Sequence, residues 1–176
     1  MTDIGTYKGS KGLERLLLEI RKILSQKEQA IVAVAGLPGT GKTFMAKSFV
    51  RLGFGNIRRK EIMVIDDNIV YSTRFWKLNW EKLQLEKKSS KYFLNSVEAK
   101  VVFFSNWIPS RFLELADIYV IFKLSEQERV NRLQKREKRA PEKFLVHKTK
   151  NTISMEKPFK CPIMITLLDP SSGMYK

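Results

Sequence analysis

Ile31-Val32-Ala33-Val34-Ala35-Gly36-Leu37-Pro38-Gly39-Thr40-Gly41-Lys42-Thr43 is the stretch on which the fold turns. Its first five residues form a short, continuously apolar run, the pattern of a strand buried on both faces in a parallel sheet. The next eight match G-x-x-x-x-G-K-[ST] in full, and the residues from Lys42 to about Leu52 read as a helix. The motif therefore stands in the strand–turn–helix setting it requires. Glycines let backbone close around a phosphate with its N–H groups pointing inward, and the following helix adds the positive end of its dipole. Lys42 is expected to bring charge to β- and γ-phosphates, and the Thr43 hydroxyl to ligate Mg²⁺. Gly36, Leu37, Pro38, Gly39, Thr40, Gly41, Lys42 and Thr43 are thus the expected nucleotide-binding residues, with ATP or GTP and Mg²⁺ as cofactors.

Outward from this stretch, four more apolar runs read as buried strands: Ile62 to Ile65, Val101 to Phe104, Ile118 to Phe122, and Ile163 to Leu168 after Pro162. Helical spacing of Leu13, Leu16, Leu17, Ile20 and Leu24 predicts an amphipathic helix over 11–28. Trp76, Trp80 and Leu83 at i, i+4 and i+7 predict a mainly helical stretch over 74–98. Strands alternating with helices predict an α/β domain with a parallel five-stranded sheet flanked by helices. Ligands on such sheets sit at the carboxyl ends of strands. Asp66, Asp67, Ser105 and Asn106 fall at such ends, so they are expected to share a cleft with the glycine turn.

The chain has 176 residues, 43% of them hydrophobic, which suits a single globular domain over 1–176 with its core in 30–170. No run is long enough to cross a membrane, and Met1 to Lys11 lacks the apolar centre of a signal peptide. The single Cys161 excludes an internal disulfide. A cytoplasmic protein without membrane insertion is the expectation. Lys8, Lys11 and Met174 to Lys176 read as frayed ends. One histidine, His147, and one cysteine do not make a zinc site. The net charge of +15 favours polyanionic partners: nucleotide, a small-molecule acceptor or nucleic acid. Trp76, Trp80, Tyr92 and Phe93, set among lysines, have the composition of a stacking surface, but their helical spacing suits packing on the sheet.

Phosphoryl transfer needs a carboxylate near the metal and a base or positioning group for the attacking hydroxyl. Asp66 and Asp67 are the candidates, with Asp66 also a metal candidate beside Thr43; the alternative is a polar turn ending a strand. The third strand ends in Ser105-Asn106, without an acid. Ser125-Glu126-Gln127-Glu128 spells a capping box, predicting a helix to Arg139 on which Arg129, Arg132, Arg136 and Arg139 share a face. Arginine forks suit phosphate oxygens, which makes Arg129 a candidate nucleotide contact and Arg132 and Arg136 candidate catalytic groups with Lys42. A solvated basic face is the alternative.

Three stretches together resemble the P-loop nucleoside and nucleotide kinases, nearest to uridine-kinase- and phosphoribulokinase-like members. They are Gly36 to Thr43, Val64-Ile65-Asp66-Asp67 with Tyr71, and Leu115 to Phe122 running into Arg129, Arg132 and Arg136. The resemblance implies a P-loop NTPase-like sheet, a basic lid over about 125–145, Mg-ATP as phosphoryl donor and Asp66 as the hydroxyl-activating carboxylate. The glutamate usual after the family's third strand is replaced by Ser105-Asn106. Two functions follow as expectations. One is a small kinase acting on a nucleoside- or nucleotide-like acceptor or a polynucleotide end. The other is a nucleotide-dependent module that presents a basic surface to nucleic acid or protein.

Overall fold

The computed structural model describes residues 2–66, 69–73, 76–79, 98–106, 113, 115–149 and 161–169. The apolar run at 31–35 lies within a strand, β2 (Ala30–Gly36), at the centre of the sheet, as its lack of polar alternation requires. In chain order the other strands are β1 (Thr2–Lys8), β3 (Ile62–Asp66), β4 (Ile69–Ser72), β5 (Trp76–Asn79), β6 (Val101–Ser105), β7 (Ile118–Lys123) and β8 (Ile163–Leu168). They form an eight-stranded sheet in the order β1-β8-β7-β2-β6-β3-β4-β5. Every pairing from β1 across to β3 is parallel, and β4 and β5 are antiparallel additions beyond β3. The chain is therefore α/β, with a mostly parallel sheet flanked by helices, compatible with a Rossmann- or P-loop-like fold.

Alternation along β2 feeds two cores. Val32 and Val34 join Leu16, Ile20, Met45, Phe49 and Phe103 on one face. Ala33 and Ala35 join Ile65, Val102, Phe104 and Tyr119 on the other. The first face is covered by α1 (Gly9–Leu24) and α2 (Lys42–Leu52). On α1, Leu13, Leu16 and Ile20 point inward, and Gly12 brings the helix so close that a Cβ there would lie 2.7 Å from Leu167 Cδ2. On α2, Phe49 stacks on Phe54 at 4.2 Å and meets Phe103 at 5.0 Å. Burying such a ring contributes roughly 1.5–3 kcal/mol.

The amino ends of the central strands are pinned by one carboxylate. Asp117 Oδ2 accepts from Ile31 N at 2.7 Å, Asp117 N donates to Ile31 O at 2.9 Å, and Oδ1 pairs with Lys27. The opposite, carboxyl edge carries the turn after β2.

Several expectations are corrected. The sheet has eight strands rather than five. Residues 2–8, where the sequence predicts no strand and Lys8 is expected to fray, make the edge strand β1, held beside β8 and bulged between Asp3 and Thr6. Bulging is a usual protection of an exposed edge. Lys8 ends that strand and Lys11 lies in α1, which spans 9–24 rather than 11–28. Trp76 to Asn79 is strand, not helix: backbone pairing with β4 overrides the helical spacing of the tryptophans. Trp80, Leu83, Tyr92 and Phe93 lie outside the described residues, as does the tail 174–176.

A short 3₁₀ turn, Arg59–Glu61, leads into β3. Glu61 accepts from the Arg58 side chain, from Lys100 at 2.8 Å and from Arg58 N at 3.0 Å, which lowers its carboxyl from the ordinary 4.5 to about 2. A depressed carboxyl stabilises the fold above its unfolded pKa, and the gain disappears as pH falls through the folded value. Glu61→Gln should therefore lower the urea midpoint at pH 7. The gap to the parent should close between pH 4.5 and about 2. A gap independent of pH in urea titrations would refute the assignment.

Candidate functional site

The turn between Gly36 and Lys42 is shaped by close contacts that leave no room for a side chain at Gly36 or Gly39. A Cβ on Gly36 would lie 2.7 Å from Thr40 Oγ1 and 3.0 Å from Phe122. Thr40 is buried and donates to Leu37 O through both its amide (3.2 Å) and its hydroxyl (2.9 Å), drawing the turn tight. Gly39 and Gly41 have φ of 92° and 98°, a region L-residues avoid. Gly41 then accepts the first α2 bond, from Met45 N at 2.9 Å. Lys42, at the first helical position, lays its ammonium over the turn, donating to Gly36 O at 2.5 Å and Leu37 O at 3.4 Å. Thr43 follows, half-buried, in the first turn of α2. Leu37 and Pro38 are half-buried at the crest.

Two neighbouring strands bring polar residues to the same edge. Asp66 ends β3, is 8% exposed, and pairs across the ladder with Ser105, the last residue of β6. Strand alternation puts Asp66, Ser105 and Gly36 on the face that α2 covers, with Val64, Phe103 and Val34. Ser105 is fully buried and its Oγ has no hydrogen-bond partner among the described residues. Asn106 is also buried, and its amide donates to Val34 O at 3.0 Å. Asp67 lies outside the described residues.

These groups fit a magnesium ion that arrives with phosphates. Mg²⁺ takes oxygen ligands, commonly one or two carboxylates with the remainder from phosphate and water. Thr43, Asp66 and the orphaned Ser105 hydroxyl are oxygen donors of this kind. Among the described residues no three His, Cys, Asp or Glu gather into a self-sufficient metal site.

The arginine segment divides by partner. Helix α3 (Glu126–Arg136) begins where the serine cap predicts, with Ser125 Oγ accepting from Glu128 N at 3.3 Å. Glu128 does not complete the box; its carboxylate takes Arg132 Nε at 2.8 Å, and Asp169 takes Arg132 Nη2 at 3.1 Å. Arg136 pairs with Glu137 at 2.7 Å and lies 3.1 Å from His147 Nδ1. Arg139 falls beyond the helix end, so the predicted four-arginine face is shorter by one. A further helix, α4 (Pro141–Thr149), folds back beside α3.

Arg129 is the exception in being 1% exposed. Nε and Nη2 grip Glu126 bidentately at 2.7 Å, Nη1 donates to Pro38 O at 3.3 Å and His147 O at 3.1 Å, and Nη2 also reaches Lys148 O at 3.1 Å. The Glu126 carboxyl titrates below its ordinary range because of the Arg129 hydrogen bonds. These contacts span 18 residues to His147 and 91 to Pro38, distances at which sequence carries no pairing signal.

Beside the turn opens a cavity of about 550 Å³, lined by Leu37, Thr40, Tyr119, Phe122, Arg129 and Met164 among others. Its size is in the range of small-ligand sites. Burial, with the Cys161 thiol nearby, pushes the Tyr119 phenol up to about 12, so the ring meets the cavity as a neutral group. Tyr119 and Met164 read only as core residues in the sequence, because apolar lining and core packing share one composition.

No protein-family model matches the chain, and no curated protein or solved structure matches it significantly. No helix among the described residues is long and apolar enough to cross a membrane.

Gly39 is constrained by both its conformation and its neighbours. A Cβ there would stand 3.0 Å from both Arg129 O and Leu133 Cγ, at a φ of 92°. Gly39→Ala should destabilise the protein by about 1–3 kcal/mol, read as a lower urea midpoint with an unchanged slope. Parent-like stability would mean that the turn is held less tightly than described.

Proposed function

We propose that this protein is an ATP-dependent phosphotransferase of the P-loop kind. The observation that carries the reading is the Gly36–Thr43 turn, which leaves a central parallel strand and opens α2 with Lys42 lying over it. Backbone amides and the α2 dipole hold the phosphates there, and Lys42 transfers its ammonium from the loop carbonyls to the β- and γ-phosphates. Thr43 and Asp66 would hold Mg²⁺, which when bound would supply positive charge to offset that of the phosphates. The nucleoside part of ATP or GTP occupies the adjoining cavity. Asp66, buried at the strand end next to Ser105, accepts the proton of the attacking hydroxyl, with Asp67 as its sequence neighbour. The α3–α4 hairpin acts as the basic lid, with Arg132 and Arg136 on its exposed side. The acceptor is a nucleoside- or nucleotide-like hydroxyl or phosphate, or a polynucleotide end.

A second reading is a nucleotide-dependent binding module that presents its basic surface to nucleic acid or protein. It is favoured by Ser105 and Asn106 standing where the sheet would offer an acid next to the turn, and by Arg132 and Arg136 already carrying carboxylate partners. Labelled ATP offered to nucleosides, nucleotides, sugars and DNA or RNA ends separates the two. A labelled acceptor supports the phosphotransferase. ATP binding without any product supports the module.

Lys42→Ala should abolish turnover or weaken ATP binding while leaving the melting temperature without nucleotide within a few degrees. Mg-ATP should raise the melting temperature of the parent. No shift with millimolar ATP, GTP or their diphosphates would overturn the nucleotide assignment. Asp66→Asn should cost roughly 10²- to 10⁴-fold in rate, with ATP affinity nearly kept if the side chain faces the acceptor and lowered if it holds the metal. An unchanged rate would return Asp66 to the role of a strand-end turn residue. Removing Arg132 and Arg136 together should lower the rate more than the affinity; equal losses would make them docking groups.

A further inference from the structure

Helix α4 has no buried side chain, and Leu145 and Val146 on it are 61% and 57% exposed. Among the described residues its last turn is held by polar contacts: His147 Nδ1 to Glu137 at 3.2 Å and to Arg136, and the His147 and Lys148 carbonyls to Arg129. Those carbonyls belong to the last turn of a helix, where no intrahelical donor remains and where a cation is favoured by the dipole. The same guanidinium holds the carbonyl of Pro38 at the crest of the glycine turn. Arginine has five N–H donors, and each finds a protein acceptor here.

We infer that Arg129 is a positioning residue rather than a ligand group. It is a strut that fixes the crest of the Gly36–Thr43 turn by tying it to α3 through Glu126 and to the carboxyl end of α4. Gly39 packs against the same strut, its α-carbon facing Arg129 O and Leu133. Backbone there cannot shift toward α3, because that space is filled, and the Pro38 carbonyl restrains movement away. The pairing also runs in reverse: whatever moves the crest of the turn pulls on α4 and its exposed Leu145 and Val146. Lysine cannot replace this group, since one ammonium with three donors does not span a carboxylate fork and three carbonyls.

The strut is tested by amide hydrogen exchange on the full chain, comparing the parent with Arg129→Lys and Glu126→Gln. Arg129→Lys should raise exchange about ten-fold or more, the loss of charge-assisted bonds, at Thr40, whose amide is bonded within the turn, and also across 141–149, with β2 and β7 unchanged. Faster exchange in 141–149 alone would make Arg129 a helix cap only and would overturn the inference. If the lysine variant does not fold, Glu126→Gln decides. It keeps the guanidinium and its carbonyl partners but loosens the fork, and it should raise exchange at the turn a few-fold; no change there overturns the strut. The importance of the strut for nucleotide rests on the phosphotransferase reading, so ATP affinity is measured alongside. A parent that binds no ATP overturns that reading while the exchange data still decide the strut. Arg129→Lys with a loosened turn but parent-like ATP affinity overturns the positioning role.

Discussion

In this protein a strand buried on both faces passes its chain to the helix above it through a turn in which two positions have no room for a Cβ. β2 is that strand, flanked by β7 and β6 and fully enclosed from Val32 to Ala35. Everything at the carboxyl edge follows from this. Gly36 has no room for a Cβ beneath Thr40 and Phe122, and Gly39 has none beside α3. The turn therefore stays close to bare backbone at these two positions, and backbone amides at a helix amino end are a setting that favours anions. The geometry that solves a packing problem is also the one on which the proposed phosphate site rests.

The sequence was most legible where burial was continuous. The five runs around Val32, Val64, Phe103, Val120 and Ile165 are apolar without alternation, and all five lie in strands of the sheet. The glycine motif was equally plain, because its spacing is dictated by local backbone. Legibility fell where an element is half-exposed or held from afar. Thr2 to Lys8 offers only Ile4 and Tyr7 to the core, so its strand character comes from a partner at the far end of the chain. Trp76 lies in a strand because β4 provides a ladder, and ladder energy outweighs the weak preference of a few helically spaced aromatics.

The arginines show the same division. Their spacing on α3 was readable, but their partners were not. Arg132 meets Glu128 at the four-residue spacing that a helix face allows, but it also reaches Asp169 after β8, and Arg136 meets the adjacent Glu137. Arg129 has the same sequence context, yet it lies in the interior with acceptors from three parts of the chain. A buried guanidinium is tolerable only when each donor is matched. That matching is a property of the assembled fold, invisible in the sequence until Pro38 and Lys148 are brought to the same place. The Ser105 position was legible in the opposite sense: a strand end without an acid was evident, and the structure adds that the hydroxyl there is enclosed without a partner among the described residues.

The outermost parallel pair has a consequence in time. β1 is completed only when Thr2 meets Ile163, a pairing that spans nearly the whole chain, and α1 packs against β8 as well as against β1. On a ribosome, the first strand and the first helix emerge long before the segment that shelters them. They must remain unpaired, or pair wrongly, until β8 inserts between β1 and β7. Closing so long a loop is slow. The early polar composition of Thr2 to Lys8 suits that wait, because a more apolar strand would spend the interval exposed and prone to aggregate.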